Sequence, residues 1–151
     1  MAEDPSRDCI FCKIARHEAS AGIVAEDDAV IAFLDIAPIN PGHTLVVPKR
    51  HATSLGEMPP VTGRRVFETA MGVAAALRRS GLRCQGVNFH LADGAAAGQD
   101  VPHVHLHVIP RFSGDGHRLR YGPGYGRELG PAERDATAAK LRAAMRPSGS
   151  A

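Results

Sequence analysis

The amino-acid sequence predicts an α+β domain built on a mainly antiparallel β-sheet. Short apolar segments bounded by turn-forming residues are typical of strands, and several of them occur along the chain. Two longer segments repeat their apolar residues at helical spacing. The order along the chain is strands, helix, strands, helix, which favours an α+β domain over a parallel α/β sheet.

The first third of the chain is predicted to supply a short helix and three strands. The helix or turn covers residues 9–16, and two prolines make 38–42 a loop. The turn-like pair Asp27-Asp28 joins the first two strands as a hairpin. The three predicted strands are 23–26, 30–34 and 44–48.

Two longer helices are predicted at residues 64–80 and 132–145. The first carries an apolar stripe and is followed by Gly81, and the second has Pro131 near its first turn. A strand over 87–91 and a histidine-rich strand that follows complete the sheet. Residues 112–130 are rich in Gly and Arg and are predicted to be irregular, either a surface loop or a segment near a functional site.

Composition excludes several classes of function. The formal net charge is only +2 and Trp is absent, so no broad nucleic-acid-binding surface is expected. No apolar run approaches the roughly 18 residues that span a bilayer, and the acidic N-terminus is unlike a signal peptide. We therefore expect a cytoplasmic protein with no membrane or nucleic-acid partner, in which the three cysteines are reduced thiols or metal ligands.

The length of 151 residues and the lack of internal repeats predict one domain. Its expected bounds are residues 8–146. Polar and small residues make 1–7 and 147–151 expected flexible tails.

Three histidines alternate with apolar residues in PHVHLHVIP, residues 102–110. In a strand, His103, His105 and His107 would share one face, and the apolar residues between them would face the core. Two chemistries explain such a face. A His-x-His pair can bind a catalytic zinc ion, or a neutral imidazole can act as a nucleophile and form a phosphoryl-type adduct.

The loop before these histidines favours nucleophilic chemistry. The small side chains of DGAAAGQDV, residues 93–101, allow backbone N–H groups to approach an anion closely. Because this loop leads directly into the histidines, it predicts a phosphate site beside them.

The histidine segment closely resembles the signature of the histidine triad (HIT) family of nucleotide hydrolases and transferases. HVHLHV, with AGQ before it and IPR after it, carries the resemblance. Three further segments, CIFCKI at 9–14, AFLDIAPINPGHTLVVPKRH at 32–51 and GDGHRLR at 114–120, resemble bacterial members. The resemblance extends from Asp8 to about Met145.

This resemblance implies a homodimer, with about five antiparallel strands and two main helices in each subunit. It also implies hydrolysis of purine nucleoside phosphoramidates or dinucleotide polyphosphates, through a nucleotidyl-histidine intermediate and without a catalytic metal. His105 would attack the α-phosphorus, His107 would contact the phosphate, and His43 would support their hydrogen bonds. The implied nucleotide-binding residues are Asp35 at the ribose, Phe11, Ile14, Phe33 and Ile36 around the base, and the backbone of Gly98, Gln99 and Asp100 at the phosphate.

Two positions depart from the family pattern. Ala92 stands where members usually have Asn or Gln and cannot donate a hydrogen bond, although Asn88 and His90 share its face of a regular strand. Asp100 stands where many members have Ser or Thr. Its carboxylate would repel phosphate, so only its backbone is expected to face the ligand.

Cys9 and Cys12 form a C-x-x-C pair, which by itself indicates a redox pair, half of a zinc site or coincidence. The resemblance implies that His51 and His103 complete a structural zinc site with these cysteines. The alternative is a pair of free buried thiols.

Three hypotheses follow from the sequence. The first is the nucleotide hydrolase described above. The second is a nucleotide-binding regulatory protein with little turnover, which Ala92 motivates. The third is a zinc hydrolase in which the three histidines bind a catalytic metal.

Overall fold

The computed structural model describes residues 5–118 and 120–145. The chain forms two compact units, Met1–His117 and Arg118–Ala151, and each is described by itself. The first unit contains the sheet and every predicted site residue.

The first unit contains five strands and two α-helices. The helices are α1 (Ile10–Ala15) and α2 (Pro60–Arg79). The strands are β1 (Ile23–Glu26), β2 (Val30–Leu34), β3 (Thr44–Pro48), β4 (Gly86–His90) and β5 (Leu106–Arg111). Short 3-10 turns lie at Leu55–Glu57 and Ala95–Ala97.

The five strands form one sheet in the order β1-β2-β3-β5-β4, and every pairing is antiparallel. This confirms the predicted fold class of a five-stranded antiparallel sheet with helices. β5, which carries His107 and directly follows His103 and His105, lies between β3 and β4, and β4 is an edge strand.

The two faces of the sheet carry different apolar clusters, because neighbouring residues of β2 and β3 point to opposite faces. On one face, Ala32 and Val46 pack with the apolar stripe of α2 and with Val108 of β5. On the other face, Phe33 and Leu45 pack with Phe11 and Ile14 of α1. The face covered by α1 is the one that carries the candidate site.

Several element bounds differ from the predicted ones, most of them by one residue. α2 begins at Pro60 rather than at 64, because proline suits the first turn of a helix, where no N–H is needed. β4 lies one residue earlier than predicted. β5 begins only at Leu106, because the N–H of Val104 donates to the carbonyl of Ala52 (2.8 Å) instead of joining the sheet ladder.

The second unit contains α3 (Pro131–Met145), close to the predicted helix. The described part of 112–130 has neither helix nor strand, as predicted, and Tyr121 and Tyr125 stack with ring centroids 3.8 Å apart. The predicted tail at 147–151 and residues 1–4 of the other tail lie outside the described residues. No described helix is both long and apolar enough to cross a membrane.

Candidate active site

A cavity of about 560 Å³ opens on the face of the sheet covered by α1. Its walls come from α1, from the end of β2 and the loop after it, and from β3. The residues of the Gly-rich loop and the histidine segment that line it are Asp100, Val101, His105 and His107.

The four apolar residues predicted around a base all line this cavity. Phe11, Ile14 and Phe33 are buried, and the two phenyl rings lie 5.5 Å apart. Ile36 differs from them because its side chain is fully exposed (101%), so it lies at the rim rather than in the wall.

Asp35, the predicted ribose residue, also lines the cavity. Its Oδ1 accepts the N–H of Ala37 at 2.8 Å, and its Oδ2 lies 3.6 Å from Nε2 of His43. The carboxylate is therefore oriented by its own loop, just after β2.

His105 is held in one tautomer. Its Nδ1 lies 2.6 Å from the carbonyl oxygen of His103, and since a carbonyl can only accept, Nδ1 must carry the hydrogen. In the neutral ring, Nε2 then has a free lone pair. The ring is buried (2% exposed) and its edge packs on Phe11, so Nε2 is fixed in position.

His43 and His107 form a directed pair. The N–H of Ile39 donates to Nδ1 of His43 at 3.2 Å, so the neutral His43 ring carries its hydrogen on Nε2. That Nε2–H donates to Nδ1 of His107 at 2.9 Å. Neutral His107 therefore presents its own Nε2–H as a donor.

Burial keeps both members of this pair neutral. It is the main cause that lowers the pKa of His107 to about 4, and the neighbouring imidazoles of His105 and His43 add to the effect. Burial also lowers the pKa of His43, although the carboxylate of Asp35 opposes it. The tautomers deduced for His43 and His107 are therefore the ones present at neutral pH.

A buried polar group that the sequence did not reveal supports His43. Asn40 is buried, and its side-chain amide donates to the carbonyl of Pro110 and to Asp115, both at 2.9 Å. Arg111 forms an ion pair with Asp115 (2.6 Å), and its guanidinium holds the pKa of that carboxyl well below its usual range. Because Asn40 also accepts the N–H of His43 (3.0 Å), this network ties the His43 loop to β5.

Strand register places Phe33, Leu45, His107 and His90 in one row across the sheet. His90 is exposed, and its ring centroid lies 5.8 Å from that of His107, on the side away from the apolar cavity. Asn88 was the other residue that could supply the donor missing at Ala92. Its side chain instead accepts a hydrogen bond from Arg111. Ala92 itself is buried and offers no donor.

The Gly-rich loop contributes less surface to the cavity than predicted. The cavity is lined by Asp100 but not by Gly98 or Gln99. The Gln99 side chain supports the loop, with Oε1 accepting from Gly94 (2.7 Å) and Nε2 donating to Thr53 (2.9 Å). The backbone N–H groups of Gly98 and Gln99 also donate within the loop.

Asp100 differs from the expectation that only its backbone would face the site. Its Oδ1 lies 3.6 Å from Nε2 of His105. The same oxygen accepts the N–H of Val101 at 2.9 Å, which orients the carboxylate.

The second group of predicted residues, Cys9, Cys12, His51 and His103, is brought together and is called the thiol cluster below. Their four potential ligand atoms all lie within 4.8 Å of one another. Cys9 Sγ is 3.3 Å from Nδ1 of His103, and Cys12 Sγ is 3.2 Å from Nδ1 of His51. None of the four residues lines the cavity.

The chemistry of the thiol cluster fits a zinc ion. Nε2 of His103 donates to the carbonyl of Pro48 (2.8 Å), so its Nδ1 lone pair faces the thiols, as in a metal-binding histidine oriented by a backbone carbonyl. A tetrahedral zinc site has sulfur–nitrogen separations of about 3.5 Å. The three observed separations, 3.2, 3.3 and 3.5 Å, are close to this value.

The three triad histidines do not converge on one point. Within the described residues, His103 groups with the thiols, whereas His107 groups with Asp35 and His43 as a second set able to hold a metal. This arrangement does not support a catalytic zinc bound by the three triad histidines.

Comparison with known proteins gives consistent matches. The family model for the HIT domain matches residues 16–114. An uncharacterized HIT-like protein of Borreliella burgdorferi is 47% identical over 116 residues, which cover 76% of this chain and 84% of that protein. The Arabidopsis thaliana protein named adenylylsulfatase HINT3 is 38% identical over 109 residues, 72% of this chain and 54% of that protein.

Solved structures match more of the chain. A zinc-bound histidine triad family protein from Mycobacterium smegmatis is 40% identical, with a TM-score of 0.72 over 92% of this chain and 99% of that one. A histidine triad nucleotide-binding protein from Candida albicans is 26% identical, with a TM-score of 0.80 over 91% and 97% of the two chains.

Proposed function

The chain belongs to the HIT family, and we propose that it is a nucleotide hydrolase that cleaves at the α-phosphate through a nucleotidyl-histidine intermediate on His105. Its substrates would be purine nucleoside phosphoramidates or dinucleotide polyphosphates, and a nucleoside monophosphate would be released. The observation that carries this proposal is the tautomer of His105, whose Nδ1–H is committed to a backbone carbonyl so that Nε2 is free to attack.

The reaction has two steps. In the first, Nε2 of His105 forms a bond to the α-phosphorus while the bond from phosphorus to the leaving group breaks, and the leaving atom keeps the electron pair. An amine leaving group takes up a proton from solvent. In the second step, water attacks phosphorus, the phosphorus–nitrogen bond breaks, and the nucleoside monophosphate and a proton are released.

His107 and His43 support both steps. The Nε2–H of His107 would donate to a phosphate oxygen, where negative charge develops. His43 acts through His107, because its Nε2–H fixes the tautomer of the His107 ring. Neither residue has to exchange a proton for this role.

The remaining cavity residues would bind the nucleoside. The carboxylate of Asp35 can accept both ribose hydroxyls, and Phe11 and Phe33 offer apolar surface to a base. Ile14 completes that wall and Ile36 would cover the base from the rim. For the phosphate we propose the N–H of Asp100, since those of Gly98 and Gln99 already have acceptors in the loop.

The proposal is tested by turnover of adenosine 5′-phosphoramidate and diadenosine tetraphosphate, each with and without EDTA. We expect chelator-resistant turnover, and acid quenching should trap one nucleotidyl group on the peptide that contains His105, seen by mass spectrometry. An absence of turnover and adduct for both substrates would contradict the proposal. Turnover abolished by EDTA in folded protein would instead support a catalytic metal.

A nucleotide-binding protein with little turnover is the second candidate. It is favoured by Ala92, which leaves the buried position before the loop without a donor. Calorimetry with AMP separates the two candidates, because this alternative predicts binding by wild-type protein that shows neither turnover nor adduct.

We also propose that the thiol cluster binds one structural zinc ion. Cys9, Cys12, His51 and His103 supply four ligands and leave no open position, which is typical of structural rather than catalytic sites. The buried Nε2 of His51 has no hydrogen-bond partner among the described residues, which leaves the ring's orientation to depend on a ligand at Nδ1. Elemental analysis of protein expressed with added zinc should give one ion per chain, and its absence would contradict the proposal.

A homodimer formed through the β4 edge is a further proposal. β4 leaves one side unpaired, and beside it Phe67, Met71 and Phe89 are 52%, 57% and 40% exposed. An edge strand next to apolar side chains favours pairing with a second copy. Light scattering should give the mass of a dimer for wild type and of a monomer for Phe67→Glu, and a monomeric wild type would contradict the proposal.

Two broader expectations are proposals as well. Matches to 91–92% of the chain support one HIT domain over 8–146, which limited proteolysis would test by yielding a single resistant core. A cytoplasmic location is supported by the three cysteines, which form no disulfide bond with one another. Recovery of the protein in a membrane or secreted fraction would contradict that location.

A further inference from the structure

The carboxylate of Asp100 stands next to the proposed nucleophile. Its Oδ1 is 3.6 Å from Nε2 of His105, so it borders the space where a phosphoryl group would lie beside that nitrogen. The N–H of Val101 holds the same oxygen in place at 2.9 Å. A substrate at Nε2 therefore meets a fixed negative charge.

The carboxylate lies on the solvent side of the nucleophile. The side chain of Asp100 is 86% exposed, whereas that of His105 is 3% exposed. Since the nucleoside would occupy the closed, apolar part of the cavity, the substrate atoms nearest to Asp100 belong to the α-phosphate and to the leaving group beyond it.

An ionised carboxylate only accepts hydrogen bonds, and it repels anions. In a phosphoramidate, the atom bonded to the α-phosphorus is nitrogen with an N–H, whose partial positive charge a carboxylate attracts. In a polyphosphate or a mixed phosphate–sulfate anhydride, the bridging atom is an oxygen without hydrogen, and the group beyond it carries negative charge. The carboxylate of Asp100 would therefore attract a leaving group joined through N–H and repel an anionic leaving group.

We propose that Asp100 is a specificity-determining residue, which favours leaving groups joined through N–H and disfavours anionic leaving groups. This inference rests on the proposed hydrolase function and narrows its substrates to phosphoramidates. It also separates this chain from the activity in the name of its relative HINT3, because sulfate is an anionic leaving group.

The test compares kcat/KM for adenosine 5′-phosphoramidate, diadenosine tetraphosphate and adenylyl sulfate in wild type and Asp100→Asn. Asn keeps an oxygen for the N–H of Val101 but removes the charge. In Asp100→Asn, we expect the preference for the phosphoramidate over each anionic substrate to decrease by about threefold to tenfold. This is the effect expected of one exposed charge acting over several ångströms. Raising the salt concentration should reduce the preference in wild type and much less in the variant.

Asp93→Asn is the matched control. Asp93 lies in the same loop and is exposed, and its carboxylate accepts from Leu55 rather than facing His105, so the same change in net charge should leave the preference unaltered. Equal shifts in both variants, or equal changes for all three substrates in Asp100→Asn, would overturn the inference.

Binding provides a readout that does not depend on turnover. In a His105→Asn background, which lacks the nucleophile, calorimetry compares adenosine 5′-phosphoramidate with ADP before and after Asp100→Asn. We expect ADP to gain affinity relative to the phosphoramidate, and an unchanged ratio would overturn the inference. Failure of the hydrolase proposal is recognised separately, as wild type that forms no adduct with any substrate.

Discussion

The thiol cluster and the active-site histidines (His43, His105 and His107) use the same kind of side chain for different purposes. In the thiol cluster, Nδ1 of His51 and of His103 point at sulfur atoms, and all four ligand atoms face one another. In the cavity, the hydrogen bonds of His105 and His107 instead leave one ring nitrogen of each available to a ligand. The contrast teaches that hydrogen-bond partners, rather than residue type, decide which imidazoles are inward-facing ligands and which remain reactive.

The largest expected effect is the loss of turnover in His105→Asn. The Asn amide can keep the hydrogen bond to the His103 carbonyl, but it has no nucleophilic nitrogen. We expect kcat/KM to fall about 10⁴-fold, because no covalent adduct can form. Zinc content and melting temperature should stay close to wild type, as measured by elemental analysis and calorimetry.

His17→Asn is the control for this change, since His17 is exposed, its imidazole contacts Glu26 far from the site, and Asn tolerates its positive φ. A loss of zinc in His105→Asn would break the distinction between the two groups of histidines.

The next largest expected effect is a loss of stability in Cys12→Ser, which removes one ligand of the thiol cluster. A ligand bound only to the folded state adds about 4 kcal/mol when its concentration is 1,000 times its dissociation constant. We expect the free energy of unfolding to fall by up to about this amount, together with loss of zinc, in urea titrations at fixed free zinc.

Cys84→Ser is the control, because that thiol lies outside the cluster and contacts only the Gly86 carbonyl among the hydrogen bonds observed. Turnover at low temperature should persist in Cys12→Ser. If it falls as far as in His105→Asn, the two groups are not separable.

A smaller effect is expected on stability in acid, and it comes from the buried pair of His43 and His107. The pKa of His107 is lowered from 6.5 to about 4 in the folded protein, so as pH falls the unfolded chain takes up a proton first. The stability that neutral His107 contributes is fully present above pH 6.5 and is lost as pH falls from 6.5 to 4. Between pH 7.5 and 5, the free energy of unfolding should therefore fall by about 2 kcal/mol because of this residue.

Urea unfolding at these two pH values, in EDTA so that metal release does not contribute, should show a smaller loss for His107→Asn than for wild type. The exposed variant His17→Asn should follow wild type. Equal acid losses in all three proteins would show that His107 is not kept neutral by burial.

The smallest expected effect belongs to His90, at the far end of the row that runs from Phe33 through His107. Because the His90 imidazole is exposed and lies beside His107, it could pass a proton from solvent to a departing amine. We expect His90→Ala to lower kcat about fivefold for an alkylamine leaving group, as modest acid catalysis would. Turnover of a substrate with a good phenolate leaving group should hardly change, and an equal loss for both would assign His90 a structural role.

The sequence predicted most of the sheet, because the information is local there. The hairpin at 23–34 and the strand at 44–48 are short apolar segments bounded by turn-forming residues, and the structure has them at the predicted bounds. The predicted start of α2 was wrong because the prediction followed the apolar stripe, which begins at Val66, whereas the helix begins a turn earlier at Pro60, a residue that suits the first turn.

The candidate site was less predictable, because its details depend on contacts between distant segments. The Asn40–Asp115 hydrogen bond joins residues 75 positions apart, and no short motif indicates it. Asp100 was expected to turn away from the ligand, but the N–H of Val101 turns its carboxylate towards His105. Only the resemblance to a family connected Cys9 and Cys12 with His103, since spacing alone left the C-x-x-C pair ambiguous.

His103 performs two tasks with two different parts of the residue. Its imidazole belongs to the thiol cluster, and its main-chain carbonyl holds the hydrogen of His105. A main-chain carbonyl survives any substitution at that position. Over evolutionary time, a lineage can therefore exchange His103 and the cysteines for apolar residues, and lose the metal, without losing the group that sets the tautomer of the nucleophile.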